Sequence, residues 1–212
     1  ALAHWLLYSV LVGLVSGAGA CLFLFLLEWM QFLALGKLCG IAVIPAAGER
    51  LIEYTGLPEP RRWLFFLMPA LGGLLAGLLV FTWAPEAKGA GVDAMLYSLH
   101  YQGGRMRKRV PFIKLAASVL TLGTGGSGGR QGPMAQIGAG IGSILGGLMR
   151  LSPRERRILM LAGCAGGLSA IFRAPLGAAI ISIEILYSED FETEAIIPCI
   201  VSSEISYVTS IS

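Results

Sequence analysis

The fold class this sequence predicts is an all-α integral membrane protein of tilted and broken or re-entrant helices. Three observations predict it. Of the 212 residues, 55% are hydrophobic and only 14% are charged, where soluble domains carry about 25%. Mean hydropathy is +0.73, and apolar runs near spanning length alternate with short polar connectors. Finally, six of the ten residues in 123–132 (GTGGSGGRQG) are glycine, inside an otherwise apolar region.

The first apolar run, about residues 4–35, is too long for a signal peptide and lacks a basic leader. It is expected to be a tilted span inside a longer natural chain. Its Gly13, Gly17 and Gly19 are spaced to admit a second helix closely. Residues 37–62 form a more polar connector with Glu49, Arg50 and Glu53, ending near Pro58 and Pro60. A second span covers 63–83, bracketed by Trp63 and Trp83 as interface anchors. Residues 88–103 are too short and polar to span and read as a glycine turn with a short helix, Asp93 serving as N-cap.

A span over 111–122 follows, then the glycine-rich break and a helix over 133–149 with Pro133 at its first position. Further apolar helices are expected over 154–170, 175–187 and 195–211. The acidic patch Glu189, Asp190, Glu192 and Glu194 precedes the last of them. Arg105, Arg107, Lys108 and Arg109 form one basic cluster, and Arg150, Arg154, Arg156 and Arg157 a second. The positive-inside tendency places both in the cytoplasm. The forty residues between them then go out and return, with the glycine break at membrane depth. Irregular backbone is tolerated there only when buried or lining a wet cavity.

That break has the chemistry of an anion site. A helix N-terminus carries unpartnered N–H groups and about half a positive charge, and glycine lets it approach a ligand. The sequence GRQGP therefore reads as a positively polarised helix start inside the membrane. KGAGVD before Ala94 repeats the pattern, and Pro175 opens a third interrupted helix. Close packing is the better account of the glycines at GAGVD taken alone, whereas Arg130 at mid-membrane favours a pathway. Glu184 reads as a buried structural residue, hydrogen-bonded or paired, rather than as a proton carrier, and Gln136 as a group that satisfies neighbouring backbone.

Other classes find little support. The net charge of +3 is spread in short clusters, giving no nucleic-acid surface. Cys21, Cys39, Cys164 and Cys199 form no CxxC pair and read as packing residues, and His4 and His100 have no ligand-like neighbours. No nucleophile set or paired His and carboxylate suggests an enzyme, and no cofactor is expected.

The segment GSGGRQGPMAQIGAGIGS (126–143) resembles the second signature of the chloride channel/transporter (CLC) family, where it is written GREGP or GKEGP. LAGCAGGLSAIFRAPLGAAIISIEILY (161–187) is similar to that family's next segment, and KGAGVD (88–93) stands where its first, GSGIP-like signature belongs. The resemblance runs from about residue 5 to the end. It implies that residues 1–212 are the N-terminal half of a CLC-type membrane domain, the first of two inverted repeats. The second half, with its third signature and its anion-site tyrosine, lies outside this sequence. The implied assembly is a homodimer in the cell membrane with one anion pathway per subunit.

By the same resemblance, Gly129, Arg130, Gln131, Gly132 and Pro133 form the gate region, and the backbone of Gly89, Ala90, Gly91 and Val92 the central anion site. Three departures stand out. Gln131 replaces the family's gating glutamate and cannot titrate. Ile185 occupies the inner proton-glutamate position, one residue after Glu184. Ala90 replaces a chloride-binding serine, while Asp93 replaces the usual proline and is expected to face away from the anion. The first two departures point to passive, channel-type chloride conduction, and the third bears on affinity and selectivity among small anions. The alternatives are a proton-coupled chloride antiporter carrying an engineered Glu-to-Gln change at 131, and a non-conducting half-repeat serving as a membrane scaffold or partner subunit.

Overall fold

The computed structural model describes residues 2–41, 59–186 and 193–211. The predicted Glu49, Arg50, Glu53 and Pro58 of the connector, Tyr187, and Glu189, Asp190 and Glu192 of the acidic patch lie outside them, as does the His4 side chain. All regular structure among the described residues is helical. Helix α1 (Leu2–Gln31) runs on into a π-helical turn, Phe32–Leu38. Then come α2 (Arg62–Trp83), a single 3-10 turn (Pro85–Ala87) and the short α3 (Val92–Tyr101). The remaining helices are α4 (Arg109–Gly123), α5 (Gln131–Leu148), α6 (Pro153–Phe172), α7 (Pro175–Leu186) and α8 (Thr193–Ile211).

Helix α6 is the centre of the molecule. Its start is fixed by a capping box in which Ser152 and Glu155 satisfy each other's backbone amides, with Pro153 at the first position. Every residue in 158–170 is buried. Small side chains let α5 pack directly on it: a Cβ added at Gly138 would lie 2.1 Å from the Gly163 carbonyl oxygen, and one at Gly142 would lie 2.0 Å from that of Leu159. On its other flank the Ser202 and Ser206 hydroxyls of α8 donate to the carbonyls of Ala162 and Gly166, both at 2.7 Å. Ser169 of α6 donates back to the Ser203 carbonyl at 2.7 Å. Without a hydrophobic driving force between helices in lipid, such close packing and interhelical hydrogen bonds hold a bundle together.

The glycine spacing read in α1 meets its partner in α8, where Gly13 abuts Ser202 and Gly17 abuts Thr209 and Ser206. Gly19 faces Ile141 of α5. At the far end of α5, Ser143 donates to the Gly104 carbonyl at 2.6 Å and accepts from the Met106 amide at 2.8 Å, pinning the turn between α3 and α4. Arg154 and Glu194 pair at 2.9 Å, joining the starts of α6 and α8. Cys39, Cys164 and Cys199 are buried and Cys21 half-buried, all as free thiols. By length and composition, α1 with its π-helical turn (Trp5–Leu38) and α2 are long and apolar enough to cross a membrane.

Candidate anion site

Two helix starts converge. The first belongs to α5, which opens at Gln131 rather than Pro133, with Arg130 as N-cap. The sequence reading put Pro133 at the first position, and the structure puts it at the third. The earliest bond of the helix at this end runs from the Met134 amide to the Arg130 carbonyl, 3.2 Å. The amides of Gln131 and Gly132 sit in the first turn, where no intrahelical acceptor exists, and proline at the third position has no N–H to leave unpaired.

The second start belongs to α3. Gly91 takes the cap position with φ 88°, a left-handed geometry open to glycine. Asp93 is therefore not the cap. It stands at the second helical position, exposed and without a capping bond. With the backbone of Gly91 turning the chain, a capping side chain is not needed, and a first-turn carboxylate still favours the helix dipole.

Residues 85–91, which lead into α3, lie against the first turns of α5. A Cβ on Gly132 would come within 2.9 Å of the Ala90 carbonyl oxygen, so the backbones touch. One turn further along, the Gln136 amide donates from Nε2 to the Glu86 carbonyl at 2.8 Å. From α4, Lys114 reaches the same loop. It is 3% exposed, and its Nζ donates to the carbonyls of Ala87 at 3.0 Å and Gly89 at 2.5 Å. At the outer edge the Glu86 carboxylate pairs with Arg107. Burial alone would push the Glu86 carboxyl up, but the Arg107 hydrogen bond and charge, with a backbone hydrogen bond, bring it below its ordinary value.

These elements enclose one side of an open cavity of about 610 Å³. Of the sequence-predicted residues, Gly89, Ala90, Gly129, Gln131, Gly132 and Pro133 line it. Gly91, Val92 and Arg130 sit directly behind in the chain without lining it. Ile185 is elsewhere, 44% exposed on α7. Its neighbour Glu184 is also exposed, which corrects the expectation of a buried, paired carboxylate. Sequence reasoning missed Lys114. The available signal was a lone cation in a strongly apolar helix. Polar side chains on the cavity are Lys88, Lys114, Ser118, Thr121 and Gln131, and no carboxylate is among its described lining residues. Amide donors, two positive helix ends and a buried ammonium together make a place for a small anion.

A family model described as "Voltage gated chloride channel" matches residues 72–212. The H(+)/Cl(-) exchange transporter ClcA of Yersinia pestis bv. Antiqua (strain Angola) is 33% identical over 185 residues, covering 87% of this chain and 36% of the relative. The ClcA of Citrobacter koseri is 35% identical over 180 residues, with 84% and 35% covered. A putative chloride channel protein ClcB-like from Ralstonia nicotianae is 31% identical over 148 residues, with 66% and 34% covered. The chain thus spans about a third of the length of the curated relatives it matches. Among solved structures, a CLC-type fluoride/proton antiporter superposes with a TM-score of 0.76 at 21% identity, covering 99% of this chain and 47% of the other. A slow cyanobacterial Cl-/H+ antiporter gives 0.74 at 24% identity, with 97% and 46% covered.

Proposed function

Because the chain belongs to the voltage gated chloride channel (CLC) family, we propose that it supplies the N-terminal half of an anion pathway that conducts chloride, or a similar small anion, passively across the cell membrane. The carrying observation is the loop before α3 meeting the start of α5 beside Lys114, on a cavity with no carboxylate among its described lining residues. Each helix end supplies on the order of 0.3–1 kcal/mol, up to ~2 kcal/mol where partly buried. That is modest against the several kcal/mol an ion loses on leaving water. Modest binding suits conduction, since an ion held too tightly does not leave.

Gln131 stands at the first position of α5, exposed on the cavity. Its amide has no titratable proton, so it cannot exchange a proton for an anion in the way a carboxylate there would. Ile185 offers none on α7 either. Both residues favour uncoupled conduction. The proposed assembly is a homodimer in the bilayer, and the exposed Leu176 and Ile180 of α7 and Ile197 and Val208 of α8 supply apolar surface for lipid or partner. A second reading, proton-coupled exchange, is favoured by the similarity to H(+)/Cl(-) exchange transporters.

The test is anion flux through the full-length protein in liposomes, under separate chloride and pH gradients. Uncoupled conduction gives a reversal potential that follows chloride and ignores pH. A reversal that moves with pH overturns it in favour of exchange. No flux at all supports the scaffold reading. Gln131→Glu should make the flux pH-dependent by restoring a titratable group at the mouth of α5.

A further inference from the structure

We infer that Gln136 is a positioning residue for the anion site, fixing the loop before α3 against the start of α5; the inference rests on the anion reading above. Three features of its surroundings single it out. It is fully buried, at 0% exposure. Its Nε2 donates to the Glu86 carbonyl at 2.8 Å. Its Oε1 is buried with no hydrogen-bond partner and lies flat on Gly91, where an added Cβ would come within 2.2 Å of it.

Glu86 and Gly91 bracket the stretch of loop that lines the cavity, so one side chain grips both ends of it. Gly132, four residues earlier on the same helix face, presses on Ala90 in between. Burying an amide with an unused acceptor is unfavourable, and an apolar side chain of similar size would fill the space without that cost. What the amide adds is a donor for the Glu86 carbonyl. Lys114 supplies the donors for Ala87 and Gly89. With those three carbonyl oxygens engaged, the negative ends of the loop's peptide dipoles are compensated, and the positive helix ends dominate the field in the cavity. Gln136 reaches the ion only through the loop it holds.

The experiment compares three variants of the full-length protein in liposomes, reading chloride-dependent flux against chloride concentration and pH. Gln136→Leu removes the donor and should raise the half-saturating chloride concentration about three- to tenfold, the effect of one neutral hydrogen bond, with a smaller change in maximal flux. Gln136→Glu keeps the shape. When protonated, its O–H donates to the Glu86 carbonyl and flux is preserved. When ionised, it cannot donate and adds negative charge, so flux falls as pH rises over a range where the parent is flat. Ser143→Ala, which loosens the other end of α5, should leave the half-saturating concentration unchanged.

The inference is overturned if Gln136→Leu leaves half-saturation within twofold of the parent, or if Ser143→Ala shifts it equally. Should Gln136→Leu not fold, the pH profile of Gln136→Glu decides, and a profile parallel to the parent's sinks the idea. A parent protein whose flux ignores chloride removes the anion reading first, and this inference with it.

Discussion

Lys114 stands between Ile113 and Leu115 in an apolar helix, and its partners are main-chain oxygens of Ala87 and Gly89. Nothing in the local sequence encodes acceptors that lie so far back along the chain, so the cation in an apolar helix was a legible signal while its partners were not. Lys114→Met should cost roughly 1.5–3 kcal/mol, the range for a hydrogen bond to a charged group. It would register as a lower unfolding temperature in detergent together with weaker chloride dependence of flux. Gln131, by contrast, was placed by the motif around it. Glu184 was misread because a carboxyl in an apolar run suggests burial. Helix α7 buries only one face, Ala178, Ala179, Ser182 and Ile183, and Glu184 falls on the other. Glu86 adds a pH signature. Its carboxyl is lowered by Arg107, so the pair's contribution is complete above the ordinary carboxylate value and is lost as pH falls through the lowered one. Protection of the amides of residues 87–91 against hydrogen exchange, after correction for the intrinsic pH dependence, should fall in acid, and Glu86→Ala should show the lower protection already at neutral pH.

At the scale of elements, glycine plays two opposed parts that the sequence alone does not separate. The glycines of α5 and α6 are a contact surface: any side chain at Gly142 collides with the Leu159 carbonyl. In α2 only Gly72 is a contact, against Thr124 at the end of α4, while Gly73 and Gly77 are a clearing: a Cβ at either meets nothing within 4 Å, and both line the cavity. Gly142→Ala should therefore destabilise by about 1–3 kcal/mol or more through overpacking. Gly77→Ala should be neutral or stabilising by up to ~1 kcal/mol through helix propensity, while narrowing the cavity. Thermal unfolding of the two variants in the same detergent checks the contrast. The sequence indicated small-residue spacing in α1, at Gly13, Gly17 and Gly19. Identifying α8 as the partner of α1 needed the fold, because the two are separated by almost the whole chain. The helix starts were legible to within two residues; their caps were not, because Gly91 in a left-handed turn replaced the side-chain cap that Asp93 seemed to offer.

For the molecule as a whole, composition was enough to predict helices in lipid, and broken ones. Helix α7, at 12 residues, extends only about 18 Å, well short of the ~30 Å hydrocarbon core. The outward faces of α1 and α2, with Leu7, Leu14, Phe66, Leu74 and Leu78 exposed, suit an apolar surround. Inside that surround, the donors that the start of α5 offers to an ion are peptide groups of Gln131 and Gly132, and almost any residue at those positions would carry the same N–H. On the proposed reading, the grip on the ion is written in chain conformation, while the gate beside it is written in side-chain identity. Evolution can rewrite the second without erasing the first, so a lineage can lose proton exchange and keep permeation by a single codon change. Conventional mutagenesis inherits the same blindness. Exchanging the amide at Gly132 for an ester is the single-atom substitution that alters the grip and leaves the gate as it is.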